Sequence, residues 1–91
     1  MDLFDSQHAD ELATLLALSD AGSFAAAGRA LLRHPSVLSK RLNALERRLG
    51  VRLVERTTRQ LQLTHAGLQL VEKVREAMGL IAQAQTEAAE G

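Results

Sequence analysis

Ser36, Lys40, Asn43 and Arg47 fall on one line when the stretch PSVLSKRLNALERRL is wound at the helical step of about 100° per residue. They carry a hydroxyl, an ammonium, an amide and a guanidinium. A row of hydrogen-bond donors and positive charge can satisfy phosphate oxygens and reach base edges in a duplex groove. Ser39 lies about 60° from that row at the helical step, close enough to contribute near the helix start. On the opposite face Leu38, Leu42, Leu45 and Leu49 form a seam that must pack on something apolar. The stretch from Pro35 to Leu49 therefore reads as the recognition helix of a DNA-binding domain.

Other chemistries find no support in the sequence. His8, His34 and His65 lack metal-ligand spacing, the chain has no cysteine, and there is no glycine-rich phosphate loop. Ser36 and Ser39 are near His34, but at a helix start they cap or touch phosphate more naturally than they act as nucleophiles. No catalytic residue, metal or cofactor is expected, and the chain is not read as an enzyme. Net charge is zero, yet residues 29–59 hold nine basic side chains against two acidic ones, a block of +7 balanced by −7 elsewhere. A concentrated basic block suits a polyanion; its alternative is a solvated basic face. Phe4 and Phe24 are the only aromatics. Single-strand binders use several aromatic platforms, so the composition favours a duplex. No apolar run approaches the roughly 18 residues of a membrane span, and the acidic start MDLFDSQHADE has no apolar signal region. A cytoplasmic chain with no membrane partner is expected.

These side chains need elements to position them. A first helix is expected from about His8, capped by Asp5 or Ser6, with Leu12, Leu15, Leu16 and Ser19 on its packed side and Gly22 as its stop. Ser23 caps a second, alanine-rich helix from Phe24 to about Leu32, with Phe24 as a core anchor. Gly28 in its middle calls for a close helix crossing as compensation. Pro35 opens the recognition helix, with His34 as cap or as a phosphate contact. Gly50 closes it. The tight break between these two helices fits a helix-turn-helix. In VRLVERTTRQLQLT, Leu61 and Leu63 alternate with glutamines as in a half-buried strand, and Leu53 and Val54 supply a partner strand. Arg56, Thr57, Thr58 and Arg59 fall at the hairpin tip as phosphate donors, the shape of a wing; the alternative is an ordinary basic turn.

Thr64 caps a last helix running to about Ala88, long enough for about 35 Å. Val71, Val74, Met78 and Ile81 repeat at helical spacing, with Leu70 beside them. That stripe outruns a domain this small, so a symmetric helix pair is expected to cover it, giving a homodimer through Leu70, Val71, Val74, Met78 and Ile81. The fold class expected is mainly α: a winged helix-turn-helix over residues 1–63, with three helices and a two-stranded wing, then a dimerisation helix over 64–91.

The succession GSFAAAGRALL, then PSVLSKRLNALERRLGVRLVERTTRQLQLTHAG, then a long helix resembles the N-terminal domain of LysR-type transcriptional regulators. The match runs from about Leu12 to Ile81. Its most specific part is the ordered set Ser39-Lys40, Leu45-Glu46, Leu49-Gly50-Val51, Leu53, Glu55-Arg56-Thr57, Leu63-Thr64 and Ala66-Gly67. The resemblance implies that Pro35, Ser36, Ser39 and Lys40 enter the major groove, with Arg59 on the minor groove or backbone and Thr64 near a phosphate. It also implies that an effector-sensing domain is missing after Gly91, and that longer forms assemble as dimers or tetramers. Where the family more often has a small polar residue, then Gln, then Pro, this chain has His34-Pro35-Ser36.

The function expected is sequence-specific duplex DNA binding as a homodimer for transcriptional regulation, on an interrupted palindrome. Bases are read by Pro35, Ser36, Ser39, Lys40 and Asn43. The backbone is held by His34, Arg47, Arg56, Thr57, Thr58, Arg59 and Thr64. Two alternatives stand beside it: a helical protein-interaction module with an incidental basic face, and the DNA-binding domain of a molybdate-responsive regulator.

Overall fold

The computed structural model describes residues 5–56 and 60–91. Their order is α1 (Ser6–Ala21), α2 (Phe24–Leu31), α3 (Pro35–Leu49), β1 (Val54–Arg56), β2 (Leu61–Leu63) and α4 (His65–Glu90). This is a mainly helical winged helix-turn-helix followed by a long helix, as expected. Thr57, Thr58 and Arg59, expected at the wing tip, lie outside the described residues.

Each helix begins at a side chain that accepts an orphan backbone N–H, the usual means of satisfying a helix start. Asp5 accepts from Gln7 and His8, Ser23 from Ala26, His34 from Ser36, and Thr64 from Gly67. Gly22 and Gly50 end α1 and α3 in the left-handed region at φ 79° and 71°. α2 ends differently. Leu32 takes the left-handed position at φ 55° with 83% of its surface exposed, and Arg33 N–H closes onto the Gly28 carbonyl at 2.9 Å. That tight closure accounts for Gly28. A Cβ there would lie 2.6 Å from the Arg33 carbonyl oxygen, so the close approach is to the turn backbone rather than to a crossing helix.

The core joins Leu15 and Leu18 of α1, Ala27 of α2, Leu38, Leu42 and Leu45 of α3, Leu53, Val54 and Val71. The three α3 leucines are fully buried, each stabilising by about 1.5–3 kcal/mol relative to exposure. Three expectations need correction here. Leu49 is 39% exposed, because the last turn of α3 runs past the core. The most buried face of α1 is Glu11, Thr14, Leu15 and Leu18, since α1 is packed against both α2 and α3; Leu12 and Leu16 sit half-buried on the side that meets α4. Val71, expected in a dimer seam, is 6% exposed and belongs to the chain's own core, with Leu70 packed against it.

β1 and β2 pair antiparallel, with Val54 opposite Leu63 and Arg56 opposite Leu61. The wing is fastened to α4 by backbone approach. Thr64 N–H donates to the Leu53 carbonyl at 2.9 Å, and Gly67 passes so close that a Cβ would lie 2.1 Å from the same oxygen. α4 continues for 26 residues, about 39 Å. Beyond its packed first turns, Met78, Leu80 and Ile81 are exposed.

Candidate nucleic-acid interface

The basic block sorts into two groups. Arg48 reaches across 37 positions to Glu11, with Nη2 at 2.7 Å and Nε at 3.3 Å from one carboxylate oxygen. Glu11 is 2% exposed, so this pair joins α1 to α3 inside the fold. Arg41 lies 3.9 Å from Asp10. Arg56 is part of β1 rather than of the loop. It donates to Asn43 Oδ1 at 2.8 Å, sits 3.6 Å from Glu46, and lies over the Phe24 ring at 5.6 Å from its centroid. Arg56 thus ties the wing to α2 and α3 instead of projecting from a tip. In contrast, Arg29, Lys40, Arg47 and Arg52 have exposed side chains with no hydrogen-bond or ion-pair partner among the described residues. Charge left without a partner among the described residues is what a polyanion needs.

The start of α3 carries its own network. His34 Nδ1 accepts the Ser36 backbone N–H at 3.1 Å and lies 2.8 Å from Ser36 Oγ. An Nδ1 that accepts must leave the proton on Nε2, so the network assigns the Nε2–H tautomer. The Ser36 hydroxyl then donates to His34, and its oxygen keeps acceptor capacity. Ser36 and Lys40 are exposed, while Pro35, Ser39 and Asn43 are half-buried. These five, with Arg47, run along the length of α3. His34 is foremost a helix cap in this arrangement.

Thr64 is an internal fastener. Its hydroxyl donates to the Arg52 carbonyl at 2.7 Å and accepts from Gly67 N–H at 3.0 Å. That hydroxyl has only one proton, so it has none to give a phosphate.

Sequence reasoning missed the pivot of the site, Glu46. Its Oε2 accepts the backbone N–H groups of Leu53 at 2.7 Å and Val54 at 3.2 Å, and its Oε1 faces Arg56. One carboxylate from α3 thereby holds the first strand of the wing. The only sequence signal was the adjacency Leu45-Glu46, a buried seam residue followed by an acid in a basic stretch. Arg52 was missed as well; it stands outside α3, on the segment that leads to the wing.

Among the described residues no group of three or more His, Asp or Glu side chains could hold a metal ion. No described helix is long and apolar enough to cross a membrane.

Comparison with known proteins follows the same line. Residues 9–68 match the family described as bacterial regulatory helix-turn-helix protein, lysR family. The HTH-type transcriptional regulator CrgA of Neisseria meningitidis is 36% identical over 80 residues, covering 88% of this chain and 27% of that protein. The full-length LTTR LysG from Corynebacterium glutamicum, solved with its bound effector Arg, superimposes with a TM-score of 0.80 at 39% identity, covering 89% of this chain and 28% of the other. The CbnR DBD–DNA complex superimposes with a TM-score of 0.79 at 32% identity, covering 90% of this chain and 97% of that one. The chain spans about a quarter of the length of the curated relatives it matches.

Proposed function

The chain belongs to the LysR family of bacterial regulatory helix-turn-helix proteins, and from that premise we propose that it binds duplex DNA as a homodimer and serves transcriptional regulation from the cytoplasm. One observation carries this reading: the donor row of α3 keeps Lys40 and Arg47 free of partners among the described residues, whereas Arg48 and Arg56 in the same basic block are engaged within the fold. A protein-interaction module would leave that division without a purpose. The likeness to a DNA-binding domain in complex with DNA supports the same reading.

In the proposed mode the start of α3 enters a major groove. Pro35, Ser36, Ser39 and Lys40 approach base edges, and the exposed cations hold phosphates and fix register. Lys40 offers a compact ammonium to purine N7 or guanine O6. The wing lies on the adjacent backbone. Residues 1–63 form the DNA-binding unit, and residues 64–91 form the pairing helix through Val74, Met78 and Ile81. No step of catalysis belongs to this role.

The test is a titration of duplex DNA at several salt concentrations, with sedimentation of the free and bound protein. Affinity should fall steeply as salt rises, by about 0.9 in logarithmic slope per phosphate contact. Lys40→Ala should weaken binding and relax the selected sequence. Salt-indifferent binding, or a bound species with one chain per duplex at saturation, would refute the proposal.

A further inference from the structure

Beside the wing end of α3 lies an open hollow of about 450 Å³, lined by Asn43, Glu46, Arg47, Gly50, Val51 and Arg52. The geometry points to a phosphodiester-binding recess in which Asn43, Arg47 and Arg52 clamp one phosphate of a bound duplex. The inference rests on the DNA-binding reading above and assigns Asn43 to the backbone rather than to a base.

Three features make the recess a built one. First, the amide of Asn43 is oriented. Arg56 can only donate, so the atom 2.8 Å from its Nη2 must be Oδ1. The Nδ2 hydrogens are thereby left without an intramolecular acceptor among the described residues. Second, Arg47 and Arg52 have no side-chain partner among the described residues and line the same space from two different segments. A guanidinium matches phosphate oxygens in paired fashion. Third, the backbone that carries Arg52 is held on both sides. Gly50 and Val51 N–H groups donate to the Glu46 carbonyl at 2.8 and 3.2 Å. The Arg52 carbonyl accepts from Thr64, and Leu53 N–H donates to Glu46. The Asn43 amide and the backbone that carries Arg52 are therefore held before any ligand arrives, which lowers the ordering cost of binding.

The Glu46 carboxylate also lines the hollow and would repel an anion if it were uncompensated. It accepts two backbone N–H groups through one oxygen and faces Arg56 with the other, so its charge is largely answered within the fold. Arg56 acts here as a positioning residue: it sets the Asn43 amide and screens Glu46.

The experiment is a fluorescence titration of the 91-residue chain against a short labelled duplex of random sequence, over a series of potassium chloride concentrations. Arg47→Gln and Arg52→Gln should each lower affinity by roughly ten-fold per dimer. Each should also flatten the logarithmic salt slope by about 0.9 for every protomer engaged. Asn43→Asp keeps an acceptor for Arg56 but turns the donor into a carboxylate; it should weaken binding at least as much while leaving the melting temperature unchanged. Lys73→Gln removes the same charge from an exposed site on α4 and should leave the slope as it was. Sites selected from a random duplex library should be the same for Arg52→Gln and the parent. An unchanged slope for Arg52→Gln, an equal loss for Lys73→Gln, or an altered selected sequence would each overturn the recess. Failure of the parent protein itself to bind in a salt-dependent way would instead remove the DNA-binding reading on which it rests.

Discussion

Truncating Glu46 to alanine takes the acceptor from two backbone N–H groups at once, those of Leu53 and Val54. Both residues are buried, at 1% and 0% exposure, so water has little access to replace the lost oxygen. A buried donor left unpaired costs about 1–3 kcal/mol, which puts the total at about 2–6 kcal/mol. The ion pair with Arg56 adds little, because that side chain is 32% exposed and the separation is 3.6 Å. A loss of this size is a large share of the roughly 5–15 kcal/mol that holds a domain together. With about 4–8 °C per kcal/mol for a chain of this size, the melting midpoint should fall by at least about 8 °C. Glu46→Gln retains a carbonyl oxygen that can accept both N–H groups, and loses the charge assistance. It also turns an amide NH2 toward Arg56. Its cost should be about 1–2 kcal/mol. Circular dichroism melts at equal protein concentration would rank the two variants, since self-association raises apparent stability. Amide exchange at Leu53 and Val54 would locate the damage. If Glu46→Ala melts within about 0.5 kcal/mol of the parent, or Glu46→Gln proves the worse of the pair, the carboxylate does not hold the wing.

The buried pair makes a second test: Arg48→Met should destabilise by about 3–5 kcal/mol, because Glu11 is left charged and enclosed, while Glu11→Leu with Arg48→Met should recover most of that loss in urea denaturation. Two glycines of α4 should respond with opposite sign. Gly67→Ala meets the Leu53 carbonyl and should cost about 3 kcal/mol or more in thermal melts. Gly79→Ala meets nothing within 4 Å and should gain about 0.5–1 kcal/mol in the same measurement. Leu32→Gly relieves a left-handed residue whose side chain is exposed and should raise the melting midpoint, by up to about 1 kcal/mol in stability.

Most of the elements were legible from local signals. Asp5, Ser23, Pro35 and Thr64 mark the helix starts because a cap acts within three residues of itself. Leu38, Leu42 and Leu45 announced the packed face of α3 by period alone, and Leu61 and Leu63 announced a half-buried strand. The polar row of Ser36, Lys40, Asn43 and Arg47 followed from the same geometry, since the helical step places these residues wherever the helix is put. The distinction among the cations was not legible. Arg47 and Arg48 are neighbours of one type, yet one is exposed without a partner among the described residues and the other is tied to Glu11 from the far side of the sequence.

Helix α3, its leucine seam and the basic block around it were determined by the sequence alone, through propensity, period and charge that operate over a few residues. Which charges remain available for a ligand was decided only by the tertiary structure. Packing brings Glu11 to Arg48, Glu46 to the wing backbone, and Arg56 to Asn43. These contacts depend on the crossing of whole elements, and no spacing in the chain encodes where those elements meet. The orientation of the Asn43 amide and the exposure of Arg52 beside it are consequences of the same long-range packing.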